Sequence, residues 1–318
     1  MPTLTRRALL LGTGTAMGSP VPPAAPRPMR GVFMIMATPY TASQALDYED
    51  LAKEAEFIGR CGAHGMVWPQ MASEYPRLTK EERLRGMDVL AKAAKGKAAL
   101  VLGVQAATTA EAVECAEHAE RLEPDAVIAL PPDTTRSAAD FRDYYAALAR
   151  VARRPLFVQT TGGKGVKPKV EWVVALAREF PHLGYVKEEA EPVLPRMMEF
   201  ARNRPPIKAV FSGKAGRGML YEMRLGFDGT MPGGPYPDIY AQIWDLYQAG
   251  QHDQARDLFG KMLLLVNLEE QIPGTRLYLS KKRGVFKTTV SRQKEVVISA
   301  EAAREIDFCF EALRPYLR

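Results

Sequence analysis

Along most of the chain, short unbroken apolar runs alternate with stretches in which apolar residues recur at helical spacing. The apolar runs fall at residues 31–38, 65–69, 98–105, 126–131, 155–161, 184–188, 208–213 and 229–232. Runs this short and this continuous fit strands covered on both faces, as in a parallel sheet. The amphipathic stretches fall at 47–61, 79–94, 109–121, 138–150, 169–180, 193–202 and 218–225. The first opens on an acidic turn, and Thr79 with Glu82 makes a near capping box at the second. Strand then helix, repeated eight times in about 200 residues, predicts an α/β fold closed into a (β/α)8 TIM barrel. Residues 237–270 and 299–317 read as two or three extra C-terminal helices packed on the barrel. No shift in composition divides residues 31–318, so they form one domain. No Gly-x-Gly-x-x-Gly follows the first strand, which argues against a dinucleotide-binding fold.

The first thirty residues break the pattern. Arg6 and Arg7 precede an apolar stretch to about Met17, and a Pro/Ala-rich tail runs on to Arg30. That order predicts an export signal of the twin-arginine type and a periplasmic or exported protein. A disordered extension on a cytoplasmic protein is the alternative.

The leader also changes what the charge means. The chain of 318 residues carries 43 Lys and Arg against 37 Asp and Glu, a net charge of +6. Arg6, Arg7, Arg27 and Arg30 have no acid among them, which leaves 39 bases against 37 acids in the rest. The body is nearly neutral. Its densest basic run, Lys281-Lys282-Arg283, is too short for a nucleic-acid footprint. The three cysteines are scattered, and the four histidines show no metal-binding spacing. No metal or cofactor is therefore predicted. No apolar run reaches the length of a membrane span.

In a barrel of this kind the chemistry sits where strands end. The sixth run ends Tyr185-Val186-Lys187-Glu188-Glu189. Burial disfavours a charged ammonium, and a neutral lysine amine can form a Schiff base with a carbonyl compound. A lysine paired to Glu188 or Glu189 on the outer face is the plainer alternative.

From Gly31 to about Gly284 the chain resembles the dihydrodipicolinate synthase / N-acetylneuraminate lyase family of Schiff-base aldolases. The matching pieces come in family order. They are Gly31-Val32 through Thr38-Pro39-Tyr40, Glu74 with Leu78-Thr79 and Glu82, Val186-Lys187-Glu188, Ser212-Gly213, Gly226 to Gly229, and Leu279 to Gly284. The resemblance implies a barrel whose Schiff-base lysine is Lys187. It also implies a homo-oligomer, commonly a tetramer built from dimers.

The departures bear on substrate. The family's Gly-Thr-Thr-Gly-Glu loop, which holds the carboxylate of a 2-oxo acid, stands here as Gln70-Met71-Ala72-Ser73-Glu74. Met71 and Ala72 offer only backbone N–H groups, and Ser73 the one hydroxyl. Gln159 stands at the position of the family's acid/base tyrosine, and an amide cannot relay a proton as a phenol does. Thr160 or Thr161 is a replacement hydroxyl, with Tyr40 and Tyr185 as further alternatives. Lys164 falls where the synthase branch carries an arginine for its second substrate, or is a solvated loop lysine. Residues 131–135 lack the tyrosine that reaches into a neighbour's site. Met231 matches a wall position. With Met34, Met36, Trp68 and Met71 it suggests a wide apolar pocket, although strand alternation puts Met34 and Met36 in ordinary core.

Taken together, the expectation is a lyase, either aldolase or hydro-lyase, acting through Lys187 on an oxo acid or related carbonyl compound. Replacement of both threonines and the tyrosine argues against the lysine-biosynthesis reaction. Two rivals remain: an exported, non-catalytic ligand-binding barrel that has lost the proton relay, and a phosphate-binding isomerase using the glycines at 213–218 and 233–234.

Overall fold

The computed structural model describes residues 27–161 and 164–318. The expected leader at residues 1–30 thus lies, except for its last four residues, outside them. Eight parallel strands close into a barrel in chain order. They are β1 (Gly31–Ile35), β2 (Gly65–Trp68), β3 (Ala99–Gly103), β4 (Ala126–Ala129), β5 (Leu156–Gln159), β6 (Tyr185–Glu188), β7 (Ala209–Ser212) and β8 (Gly229–Thr230). All eight coincide with the apolar runs, and most stop short of the runs' C-terminal ends. The surplus apolar residues belong to the mouth, where the chain leaves the ladder.

Eleven α-helices are present among the described residues. The first eight alternate with the strands: α1 (Tyr48–Arg60), α2 (Lys80–Ala93), α3 (Thr109–Arg121), α4 (Ala138–Val151), α5 (Val170–Glu179), α6 (Val193–Arg202), α7 (Met219–Arg224) and α8 (Pro237–Gln248). Their starts are written in the sequence. Asp47 accepts from the backbone N–H groups of Glu49 and Asp50, and Thr79 and Glu82 close a full capping box on α2. Residues 237–270, which read as one helical stretch, split at Gly250, whose φ of +77° suits glycine. Three more helices complete the chain: α9 (His252–Gln271), α10 (Thr275–Lys282) and α11 (Ala300–Glu311).

Two cores lie back to back across the sheet. Inside the barrel, Phe33, Phe157 and Phe211 meet edge to face with centroids 5.2 Å apart and plug the floor. Glycine makes the room for them: a Cβ on Gly65 would lie 2.3 Å from the Phe33 ring, and one on Gly229 2.4 Å from Phe211. Outside, Met34, Met36, Met66 and Trp68 pack against the helices. Met34, Met36 and Trp68 therefore do not widen a ligand pocket, because alternation turns them away from the barrel axis.

The C-terminal part is strapped over the mouth. Arg283, at the end of α10, pairs with Asp238 through two contacts of 3.0 and 2.7 Å. Glu74, on the β2–α2 connection, accepts from the Ser291 hydroxyl at 2.8 Å and from the N–H groups of Arg292 and Gln293 at 3.0 Å each. Arg292 in turn grips Glu82.

Candidate active site

Alternation decides which side chains reach the mouth. On β5 and β6, Phe157 and Tyr185 pack in the floor, so Gln159 and Lys187, two residues on, point the same way one layer higher. The register sets Gln159 directly opposite Lys187. Both line a pocket of about 340 Å³ at the C-terminal end of the barrel. Lys187 is only 4% exposed there.

A buried ammonium needs a partner. Lys187 Nζ lies 3.0 Å from Glu189 Oε2, and Glu189 faces the pocket with it. The pairing thus occurs on the inner face, where the outer-face alternative is not met. The Glu189 carboxylate also accepts from Gln159 Nε2 at 3.1 Å and from the Lys214 N–H at 3.2 Å. Gly213 makes space for it, since a Cβ there would lie 1.8 Å from Glu189 Oε1.

Glu188 between them turns outward and is fully buried. Arg196 lies 3.1 Å from its Oε2, and the Thr160 hydroxyl donates to its Oε1 at 2.7 Å. Burial pushes the Glu188 carboxyl above its ordinary range, and the bonds from Thr160 and Arg196 oppose that push.

Two glutamines of the pocket wall have amide orientations fixed by their neighbours. Gln159 Nε2 donates to Glu189 and to the Thr161 carbonyl, both pure acceptors, so the amide orientation is determined. Its Oε1 is buried and has no hydrogen-bond partner among the described residues. Gln105 Nε2 donates to the Pro69 carbonyl at 2.8 Å, so Gln105 Oε1 must accept from Gln70 Nε2. That leaves Gln70 Oε1 buried and without a hydrogen-bond partner among the described residues as well.

Of the residues singled out from sequence, Lys187, Gln159, Met71, Ala72 and Met231 line this pocket together, and Thr161 joins them. Three others do not. The Ser73 hydroxyl is fully buried, donating to the Met36 carbonyl and accepting from the Gln70 N–H at 3.0 Å, so it staples the loop. Thr160 points outward to Glu188. Lys164 is exposed on the β5–α5 loop, outside the pocket lining. Neither Tyr40 nor Tyr185 lines the pocket. Burial raises the Tyr40 phenol above its ordinary range, and its hydroxyl has no partner among the described residues.

The sequence had underweighted four lining residues: Glu189, Gln70, Lys214 and Arg276. Glu189 was legible, being two residues beyond Lys187 where the chain leaves β6. Arg276 was not, because it arrives from α10 with no local pattern to mark it. A second cavity of about 440 Å³ adjoins the first and shares Ala72, Lys214, Ala215 and Arg276 with it. No cluster of metal-ligating side chains occurs among the described residues. Nor is any helix among them long and apolar enough to cross a membrane.

A closed (β/α)8 barrel with a buried lysine at the end of β6 defines the class, an enzyme of the lyase type. The chain belongs to the dihydrodipicolinate synthetase family, whose profile matches residues 28–302. It is 27% identical over 286 residues to the 4-hydroxy-tetrahydrodipicolinate synthase of Chlorobium chlorochromatii, covering 88% of this chain and 95% of that one. It is 24% identical over 271 residues to the L-2-keto-3-deoxyarabonate dehydratase of Azospirillum brasilense, covering 81% and 85%. The solved dihydrodipicolinate synthase of Rhodopseudomonas palustris superposes with a TM-score of 0.80 at 22% identity, over 91% of this chain and 98% of that one. That last likeness is one of fold.

Proposed function

We propose that Lys187 forms a Schiff base with the carbonyl of an oxo acid, and that the chain uses it for aldol cleavage, condensation or dehydration. The observation that carries this reading is the Lys187 amine, buried in a pocket with a carboxylate 3.0 Å away. Glu189 accepts the ammonium proton, and the neutral amine adds to the carbonyl carbon. The resulting hydroxyl leaves as water, taking the proton back from Glu189. The iminium then draws in the electron pair of the bond that breaks on the neighbouring carbon. Glu189 here does the proton work for which this pocket has no tyrosine, and Gln159 holds it in place. The α-carboxylate of the substrate meets the N–H groups of Met71 and Ala72, which have no partner among the described residues.

Loss of the two threonines and of the tyrosine supports a substrate other than that of the lysine-biosynthesis reaction. The names of the relatives, a synthase and a dehydratase, support the breadth of the reaction class. Export rests on Arg6-Arg7 and the apolar stretch after them, and homo-oligomerisation on the family resemblance. Incubating the protein with a panel of oxo acids and following them by NMR tests the reaction. Release of pyruvate, or loss of water, that disappears in Lys187→Met supports it. Turnover that survives Lys187→Met would sink it.

A further inference from the structure

We propose that Arg276 forms a second anion subsite in the Lys187 pocket, so that the substrate is an oxo acid bearing another acidic group at its far end. Arg276 opens α10 and lines both the lysine pocket and the adjoining cavity. Its Nε donates to Glu269 Oε2 at 2.6 Å, and Glu269 Oε1 accepts from the Tyr236 hydroxyl. That bond fixes the guanidinium plane and leaves the Nη edge without a hydrogen-bond partner among the described residues. Gly233 makes room for the guanidinium itself, since a Cβ there would lie 2.8 Å from Arg276 Nη1. A planar fork of N–H donors held from behind suits a carboxylate.

The pocket lining holds three cations, each with a carboxylate beside it. Lys187, Lys214 and Arg276 line it against the single carboxylate of Glu189. Lys187 and Glu189 answer each other. Lys214 has Glu191 at 3.1 Å on the exposed rim, and Glu269 stands behind Arg276. One anionic group on the substrate goes to the Met71 and Ala72 N–H groups under the Schiff-base reading, which leaves Arg276 for a second. Gln70 and Gln159, each only 1% exposed, add polar side chains to the wall of the same space.

The inference deepens the Schiff-base reading, and the test separates the two. The full chain, Arg276→Met and Arg276→Lys are titrated calorimetrically with 2-oxoglutarate and with 2-oxopentanoate. These share a five-carbon chain, but only the first has a second carboxylate. The wild-type chain should bind the diacid about tenfold or more tighter, as expected for a charge-assisted pair. The preference should shrink toward unity in Arg276→Met and return in part in Arg276→Lys. A wild type without the preference overturns the proposal, as does an Arg276→Met that keeps it, or failure of both acids to bind. Equal loss of both acids in Arg276→Met also overturns it, by placing Arg276 on the α-carboxylate. Borohydride reduction is run in parallel. A diacid preference without trapping at Lys187 defeats the Schiff-base reading and not the subsite, and trapping without the preference does the reverse.

Discussion

The Glu189 carboxylate holds the Lys187 ammonium, the Gln159 amide and the Lys214 N–H at once. A group so placed is already within proton-transfer reach of the amine. Glu189→Gln keeps the shape and removes the base. The rate of imine formation with an oxo acid should then fall about 100-fold or more, a usual loss for a general base. Stopped-flow measurement of that step checks it, and a rate within a factor of two of wild type would contradict the role. Lys187 and Gln159 were legible from sequence because a strand end and a family motif both mark them. Ser73 and Thr160 misled for one reason: a hydroxyl near a site in sequence is taken up by the nearest buried acceptor. For Ser73 that acceptor is the Met36 carbonyl, and for Thr160 it is Glu188.

Elements show the same division between local and long-range information. The capping box of α2 and the eight strands follow from residue order alone. The buried carboxyl of Glu54 on α1 does not, because its setting is made by the end of β1. Its Oε1 accepts the Ala37 N–H at 3.1 Å, and its Oε2 is buried without a partner among the described residues. Burial raises this carboxyl from 4.5 to about 8. Between those values the folded protein keeps a proton that the unfolded chain has released. Stability due to Glu54 is therefore full below pH 4.5, declines as pH rises to about 8, and is level beyond. Glu222, raised to about 7 by burial beside Ser212, adds a decline of the same sign over a narrower window. Glu54→Gln keeps the acceptor and cannot ionise. It should flatten the fall and stabilise the fold at pH 8.5 by on the order of 2–4 kcal/mol. Thermal melts of the two proteins across pH 4–9 check this, and parallel curves would contradict it.

At the scale of the whole molecule, a closed barrel gives the site its floor and walls, and the C-terminal segment gives it a rim. The barrel was legible because each βα unit carries its own pattern. The rim was not, since Glu74 meets residues 291–293 and Arg276 meets Gly233 across long spans of chain. Those contacts make the pocket more polar than its methionines suggested. They leave one claim on which the rest turns, that the amine of Lys187 is the nucleophile. Borohydride reduction of the intact protein with pyruvate and with 2-oxoglutarate, followed by peptide mapping, addresses it directly. The account predicts a reduced adduct of matching mass on Lys187, absent without the oxo acid and absent in Lys187→Met. An adduct on another lysine, or none on Lys187 with any oxo acid, would contradict it.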